Sequence, residues 1–178
     1  MNCTLIQRLI TERPGKYKLS VSHTTREPRE GEEEGVSYHF TTRDDFESLL
    51  ASGGFVEYAE IANNLYGTSW SALKALAQDG SVAVIEIDIQ GVRKIQNNSF
   101  FDRITRYVFV KPPSFEALKD RLESRGSENP TTLHRRLALG ERELRDYSSL
   151  HWDLVFENNE VDAAYSQLTT FLGAEGLF

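Results

Sequence analysis

Cysteine is nearly absent from this sequence. Cys3 stands alone among 178 residues, so no internal disulfide can form and no second thiolate can join it around a metal ion. An inert thiol is expected. Long hydrophobic runs are missing as well. No apolar stretch approaches the roughly 20 residues that a membrane-spanning helix requires. No basic segment followed by an apolar core and a small-residue cleavage site opens the chain, so a cytoplasmic protein with no membrane partner is expected. Positive charge is in deficit: 20 Lys and Arg stand against 27 Asp and Glu, a formal net charge of −7. That balance argues against nucleic acid as a partner, since general affinity for its backbone needs a positive surface that releases counterions. Repeats, low-complexity tracts and linkers are also lacking, and 178 residues suit a single domain with a proper core.

Against this acidic background arginines gather at Arg26/Arg29, Arg121/Arg125 and Arg135/Arg136. Such clusters hold a small polyanion or form solvated ion pairs, and composition leaves both open. Hydrophobic periodicity predicts a helix from Thr4 through Arg13, with Leu5, Ile6, Leu9 and Ile10 on one face and Pro14-Gly15 as its stop. A strand is expected at Tyr17 to His23, a short strand ending at Phe40, a helix near Arg43 to Ala51, and a strand in "GGFVEYAEI". "NNLYGTSWSALKALAQDG" reads as a turn, a short strand and a helix ending at Gly80.

Beyond Gly80 the character changes. "SVAVIEIDI" and "ITRYVFV" are nearly continuous β-branched and aromatic runs, the pattern of parallel strands covered on both faces. Helices are expected at Gln90 to Gln96, Phe115 to Ser124, Leu133 to Arg145 and Val161 to Leu172, with a last strand in "WDLVFEN". Strands alternating with helices indicate an α/β fold, and the shorter elements of residues 31–80 suggest an inserted sub-lobe.

The richest stretch chemically is "SVSHTTREPREGEEEGVSYHF". Arg26 and Arg29 sit on an irregular segment stiffened by Pro28, and two guanidinium forks can share the oxygens of one phosphate in a way lysine cannot. Ser22 and Thr25 add hydroxyl donors, Glu32 can orient an arginine, and Tyr38 can donate its phenol. A polar loop with ordinary ion pairs is the competing reading of each residue taken singly.

The segment closely resembles the GMP-binding segment of guanylate kinases, which runs T-T-R-x-x-R-x-G-E-x-x-G-x-x-Y-x-F; here it spans Thr24 to Phe40, just after Ser22. "FVEYAEI" resembles the family strand whose base-reading glutamate falls on Glu57. "NLYGTS" resembles the substrate segment with a phosphate-contacting tyrosine at Tyr66, Gly67 beside it, and a base-reading hydroxyl at Thr68. "VIEIDIQG" resembles the strand end whose acidic residues, Glu86 and Asp88, face the guanine and the reacting phosphates. "PPSFEALKDRLESRG" and "TTLHRRLALGERE" resemble the start and the return helix of a mobile lid at about residues 114–145. This places Arg121, Arg125 and Arg136 at the donor phosphates and the transferring group, and Asn158 near the adenine.

The resemblance implies a P-loop-kinase-like three-layer α/β/α core in residues 1–30 and 81–178, with the GMP-binding sub-lobe in residues 31–80. It implies phosphoryl transfer from ATP, bound with Mg²⁺, to GMP, with Asp88 near the acceptor phosphate and the metal's water shell and with no protein metal ligands. Guanine selection has a physical basis in the residues themselves. A carboxylate such as Glu57 accepts from the ring N–H and the exocyclic amine together, two donors that adenine does not present side by side, while Thr68 can donate to the carbonyl. A base that leaves these groups unpaired is rejected.

The family also carries a buried first strand and the loop G-x-x-G-x-G-K-[ST], whose N–H groups, lysine and hydroxyl hold the donor phosphates and Mg²⁺. Aligning "TLIQRLI" with the helix after that loop puts Asn2 at the lysine and Cys3 at the hydroxyl. Neither suits the task, since a thiol is a poor ligand for a hard cation. The expectation is therefore a complete GMP site with severely impaired transfer, in a monomer or in a dimer whose sheet is completed by swapping. The alternative is a non-catalytic module that binds GMP or a phosphopeptide; Glu57 and Thr68, which suit a base, count against the peptide.

Overall fold

The computed structural model describes residues 4–78, 80–124 and 130–177. They divide into two compact units, one up to Asn98 and one from Ser99. Asn2, Cys3 and Arg125 lie outside the described residues.

In the first unit, helix α1 (Thr4–Glu12) buries Leu5 and Leu9, four residues apart on one face, and packs on strand β1 (Tyr17–Leu19). β1 runs parallel to β6 (Val82–Val84), with Tyr17 opposite Val82 and Leu19 opposite Val84. The ladder closes at Ser20, whose N–H reaches the Val84 carbonyl at 2.8 Å. The chain then changes sheets. β2 (His23–Thr24) runs parallel to β3 (His39–Phe40) and antiparallel to β5 (Asn64–Ser69), and β5 pairs with β4 (Phe55–Ile61), giving the order β3-β2-β5-β4. The single strand expected over Tyr17 to His23 is thus two strands in two sheets, because Ser20 finds its partner in β6 and Ser22 finds its own in His39.

Helix α2 (Arg43–Ala51) begins where Thr42 accepts the Asp45 N–H at 3.1 Å, with Asp44 and Asp45 in the first turn, where the helix dipole favours acids. It supplies Phe46, which stacks on Phe55 of β4 at 4.3 Å and joins Leu65 in the core of this sheet. The β4–β5 hairpin turns on Ala62 and Asn63, both at positive φ, as a two-residue turn matched to strand twist requires. Helix α3 (Trp70–Ala77) is capped by Ser69, and α4 (Ile89–Gln96) by Asp88. α4 buries Val92 and Ile95 and packs on β4.

In the second unit, β7 (Val108–Lys111) and β8 (Leu154–Glu157) form a parallel pair. Helices α5 (Phe115–Ser124) and α6 (Pro130–Asp146) pack together, and α7 (Val161–Ala174) lays Ala164, Tyr165, Leu168 and Leu172 into the core. Phe109 stacks on Tyr147 at 4.7 Å and meets the tilted Trp152 ring at 4.9 Å.

Two expectations for the long strands are corrected. "SVAVIEIDI" contributes only three residues to a ladder, and residues 85–88 continue without one. The strands are also not covered on both faces: Ala83, Val110 and Val155 are exposed. Among the described residues β6 pairs with β1 alone and β7 with β8 alone.

Candidate active site

The loop after β2 organises the arginines. Arg26 extends one guanidinium nitrogen to both Glu32 oxygens at 2.8 and 2.9 Å and the other to the Glu27 carbonyl at 2.6 Å. Glu32 Oε2 also accepts the Arg29 N–H at 2.8 Å. The loop folds this way because the carboxylate lies within reach of a side chain six residues back and a main-chain N–H three residues back. The Arg26 guanidinium lies 5.5 Å from the centre of the Tyr38 ring, and Tyr38 meets Tyr66 edge to face at 6.0 Å. Burial works against the Arg26 charge, but the hydrogen bonds and charge of Glu32, helped by the Tyr66 phenol, outweigh it and raise its pKa. Burial likewise works against the Glu32 charge, and the Arg29 N–H with the Arg26 guanidinium overcomes it, holding that carboxyl below its usual range. Burial pushes the Tyr38 phenol up, with Tyr66 and Glu86 adding to the rise. Arg26, Arg29, Glu32, Tyr38 and Tyr66 thus belong to one locality, with Glu86 in its field.

Glu57 lies on β4 beside Thr68 of β5. It is only 4% exposed, and its Oε1 accepts the Thr68 N–H at 2.9 Å. The Thr68 hydroxyl is wholly buried and makes no hydrogen bond. It stands near enough to favour the carboxylate's charge. Burial raises the Glu57 pKa; Thr68 opposes the rise, the Asp88 charge adds to it and Lys94 counters it.

Other expected residues serve the fold. The Thr25 hydroxyl accepts the Leu65 N–H at 2.9 Å and so ties the arginine loop to β5. Gly67 is a packing position, since a Cβ there would meet Phe55 at 2.9 Å and Phe46 at 3.0 Å. Asp88 caps α4, one oxygen accepting from Gly91 N–H at 2.9 Å and the other from Gln90 at 3.0 Å. Ser22 lends its carbonyl to His39 N–H. In the second unit Arg121 donates to the Asn158 carbonyl at 2.7 Å, which joins two of the residues expected at the ATP. Arg136 lies half-buried on α6.

Two residues escaped the sequence reading. Lys94 of α4 donates to the Tyr58 carbonyl at 2.6 Å and lies 3.0 Å from the centre of that ring. Gly91 brings α4 directly onto Glu57; a glycine inside a helical pattern was the one available signal.

Fold and polar cluster together define an α/β protein with parallel strand pairs and, on its four-stranded sheet, an arginine fork near a buried carboxylate–hydroxyl pair. The guanylate kinase family model matches residues 2–175. The chain is 39% identical to the guanylate kinase of Sus scrofa over 173 residues, which is 97% of this chain and 86% of that protein. It is 40% identical to the guanylate kinase of Schizosaccharomyces pombe over 93% of this chain and 81% of that protein. A crystal structure of guanylate kinase from Anaplasma phagocytophilum superimposes with a TM-score of 0.74 at 27% identity, covering 97% of this chain and 81% of that one. The chain belongs to the guanylate kinase family.

Proposed function

We propose that this protein binds GMP at the first unit's polar cluster as the acceptor for phosphoryl transfer from ATP, giving GDP and ADP. One observation carries the reading: Glu57, 4% exposed, and the adjacent Thr68 hydroxyl, buried without a hydrogen bond. Buried polar groups are ordinarily paired; Glu57 has the Thr68 N–H on one oxygen, and a guanine would complete both groups, its ring N–H and amine donating to the carboxylate and its carbonyl accepting from the hydroxyl. The Arg26 fork, with Arg29 and the phenols of Tyr38 and Tyr66, would hold the phosphate and orient its oxygens. Ser22 and Glu86 would add polar contacts.

On the donor side Arg121, Arg136 and, by resemblance, Arg125 and Asn158 would hold ATP and neutralise the charge on the transferring oxygens as water is excluded. These residues suit nucleotide phosphates. Mg²⁺, entering with ATP, supplies charge neutralisation across the phosphates when bound. Asp88, committed to capping α4, would offer its remaining lone pairs to the water shell of that ion. With Asn2 and Cys3 at the loop's lysine and hydroxyl positions, turnover is expected far below that of a relative carrying those residues.

The test is calorimetric titration of GMP, paired with a coupled assay of ATP-dependent GDP formation at high protein concentration. GMP binding that falls about tenfold or more in Arg26→Ala is expected, since hydrogen bonds to charged groups are each worth about 1.5–3 kcal/mol. An unchanged affinity in that variant sinks the proposal. A phosphopeptide that binds tightly without competition from GMP would put the non-catalytic module in its place.

A further inference from the structure

Helix α4 approaches Glu57 so closely at Gly91 that an added side chain there would require the Glu57 carboxylate to move. A Cβ on Gly91 would lie 2.6 Å from Glu57 Oε2, 3.2 Å from its Cδ and 3.1 Å from the Ile87 Cβ. Real Cβ atoms essentially never approach within 3.0 Å of another heavy atom. Gly91 is buried in the first turns of the helix, where glycine is a poor helix former, so its presence there calls for a reason. Its own N–H donates to Asp88 Oδ1 at 2.9 Å, which fixes the start of α4. Almost a turn later Lys94 donates to the carbonyl of Tyr58, the neighbour of Glu57, at 2.6 Å. The start of the helix is therefore fixed by its own cap, and Lys94 ties the helix to β4 beyond the contact. Between the cap and this tie the carboxylate is held from two directions, with Oε1 on the Thr68 N–H and Oε2 against the bare Gly91 backbone.

We propose that Gly91 is a positioning residue for base selection: it touches no ligand, but it lets α4 stand as a wall against Glu57 and sets the carboxylate plane to meet two adjacent donors. The inference rests on the reading of Glu57 as the carboxylate that faces guanine. A methyl group at position 91 displaces Oε2, so the acceptor pair no longer matches the ring N–H and exocyclic amine together. The loss falls on the second of these contacts. It therefore registers as reduced discrimination between GMP and inosine monophosphate, which keeps the ring N–H and carbonyl but lacks the amine.

The experiment titrates both nucleotides into the full chain as wild type, Gly91→Ala, Glu57→Gln, Glu57→Asp and the double variant Gly91→Ala/Glu57→Asp. Gly91→Ala is expected to weaken GMP about tenfold or more, the scale of one hydrogen bond to a charged group, and inosine monophosphate much less. Glu57→Gln should also collapse the ratio. The added methyl should cost less beside the shorter aspartate than beside glutamate, a coupling that a merely structural role would not produce. A GMP preference that survives Gly91→Ala while Glu57→Gln abolishes it overturns the role of Gly91 and leaves the reading of Glu57 standing. A preference that survives Glu57→Gln overturns both. Should Gly91→Ala not fold, Gly91→Ala/Glu57→Ala decides: recovery of the fold identifies the carboxylate as the group displaced, and continued unfolding overturns the proposal.

Discussion

Glu57 is buried at a cost that the Thr68 N–H and the Lys94 charge offset only in part. Burial raises its pKa above that of an unfolded glutamate, about 4.3, so between those two values the folded chain binds a proton that the unfolded chain does not. Stability therefore falls as pH rises through this window, and above the folded pKa the full cost of the buried charge is present. Glu57→Gln is expected to be the more stable protein at neutral pH, and its advantage should shrink as pH falls toward the unfolded value. Denaturant midpoints at pH 8 and pH 5 check this; a gap of equal size at both would show that the charge is not what costs stability. GMP affinity should weaken across the same window, because a protonated carboxyl no longer accepts two donors. Opposite effects on stability and binding are the mark of a residue retained for function.

The elements carry two predictions of their own. Ala62 sits at φ 52 in the β4–β5 turn, where a side chain costs about 1–2 kcal/mol and glycine costs nothing. After the extra entropy glycine brings to the unfolded chain, Ala62→Gly should stabilise by about 0.5–1 kcal/mol, read as a higher melting temperature. Gly67→Ala works in the opposite sense. Its methyl would press on the Phe46–Phe55 stack and on the Glu57 carbonyl at 2.9 to 3.0 Å, and overpacking of this kind costs about 1–3 kcal/mol. An unchanged denaturation midpoint would show that the stack yields freely.

Elements whose signals are local were legible in the sequence. Arg43–Ala51 and Phe115–Ser124 fall at the bounds expected from the sequence, as does the alternating strand β4. The breaks at Ser20 and after Val84 were not legible, because they depend on which distant strand offers a hydrogen bond. The site divides in the same way. Arg26 and Glu32 lie six residues apart, so their pairing follows from the loop itself. Glu57 and Thr68 came from the family resemblance, and their pairing from the hairpin register. Gly91 and Lys94 act on β4 across more than thirty residues, through the packing of a helix that no short pattern specifies.

At the scale of the whole molecule, the residues proposed to hold GMP belong to the unit ending at Asn98, and Arg121 and Arg136 to the unit beginning at Ser99. A ligand stabilises what it binds, by about 2.7 kcal/mol at a hundred times its Kd. Amide hydrogen exchange with and without GMP should therefore show new protection in β2, β4, β5 and the arginine loop, and little in α6 and α7. Equal protection in both units would mean that GMP reports on the donor side as well. Among the described residues no helix is long and apolar enough to cross a membrane.

The Arg26–Glu32 fork has a genealogical consequence. The two side chains are only 14% and 19% exposed, and a charge stranded without its partner in such surroundings is penalised. Neither position can drift alone, so descendants should keep both residues or exchange both together. If Arg26 holds the GMP phosphate as proposed, a relative that has replaced Arg26 while keeping Glu32 should bind GMP weakly and carry changes at Tyr38 and Tyr66 as well.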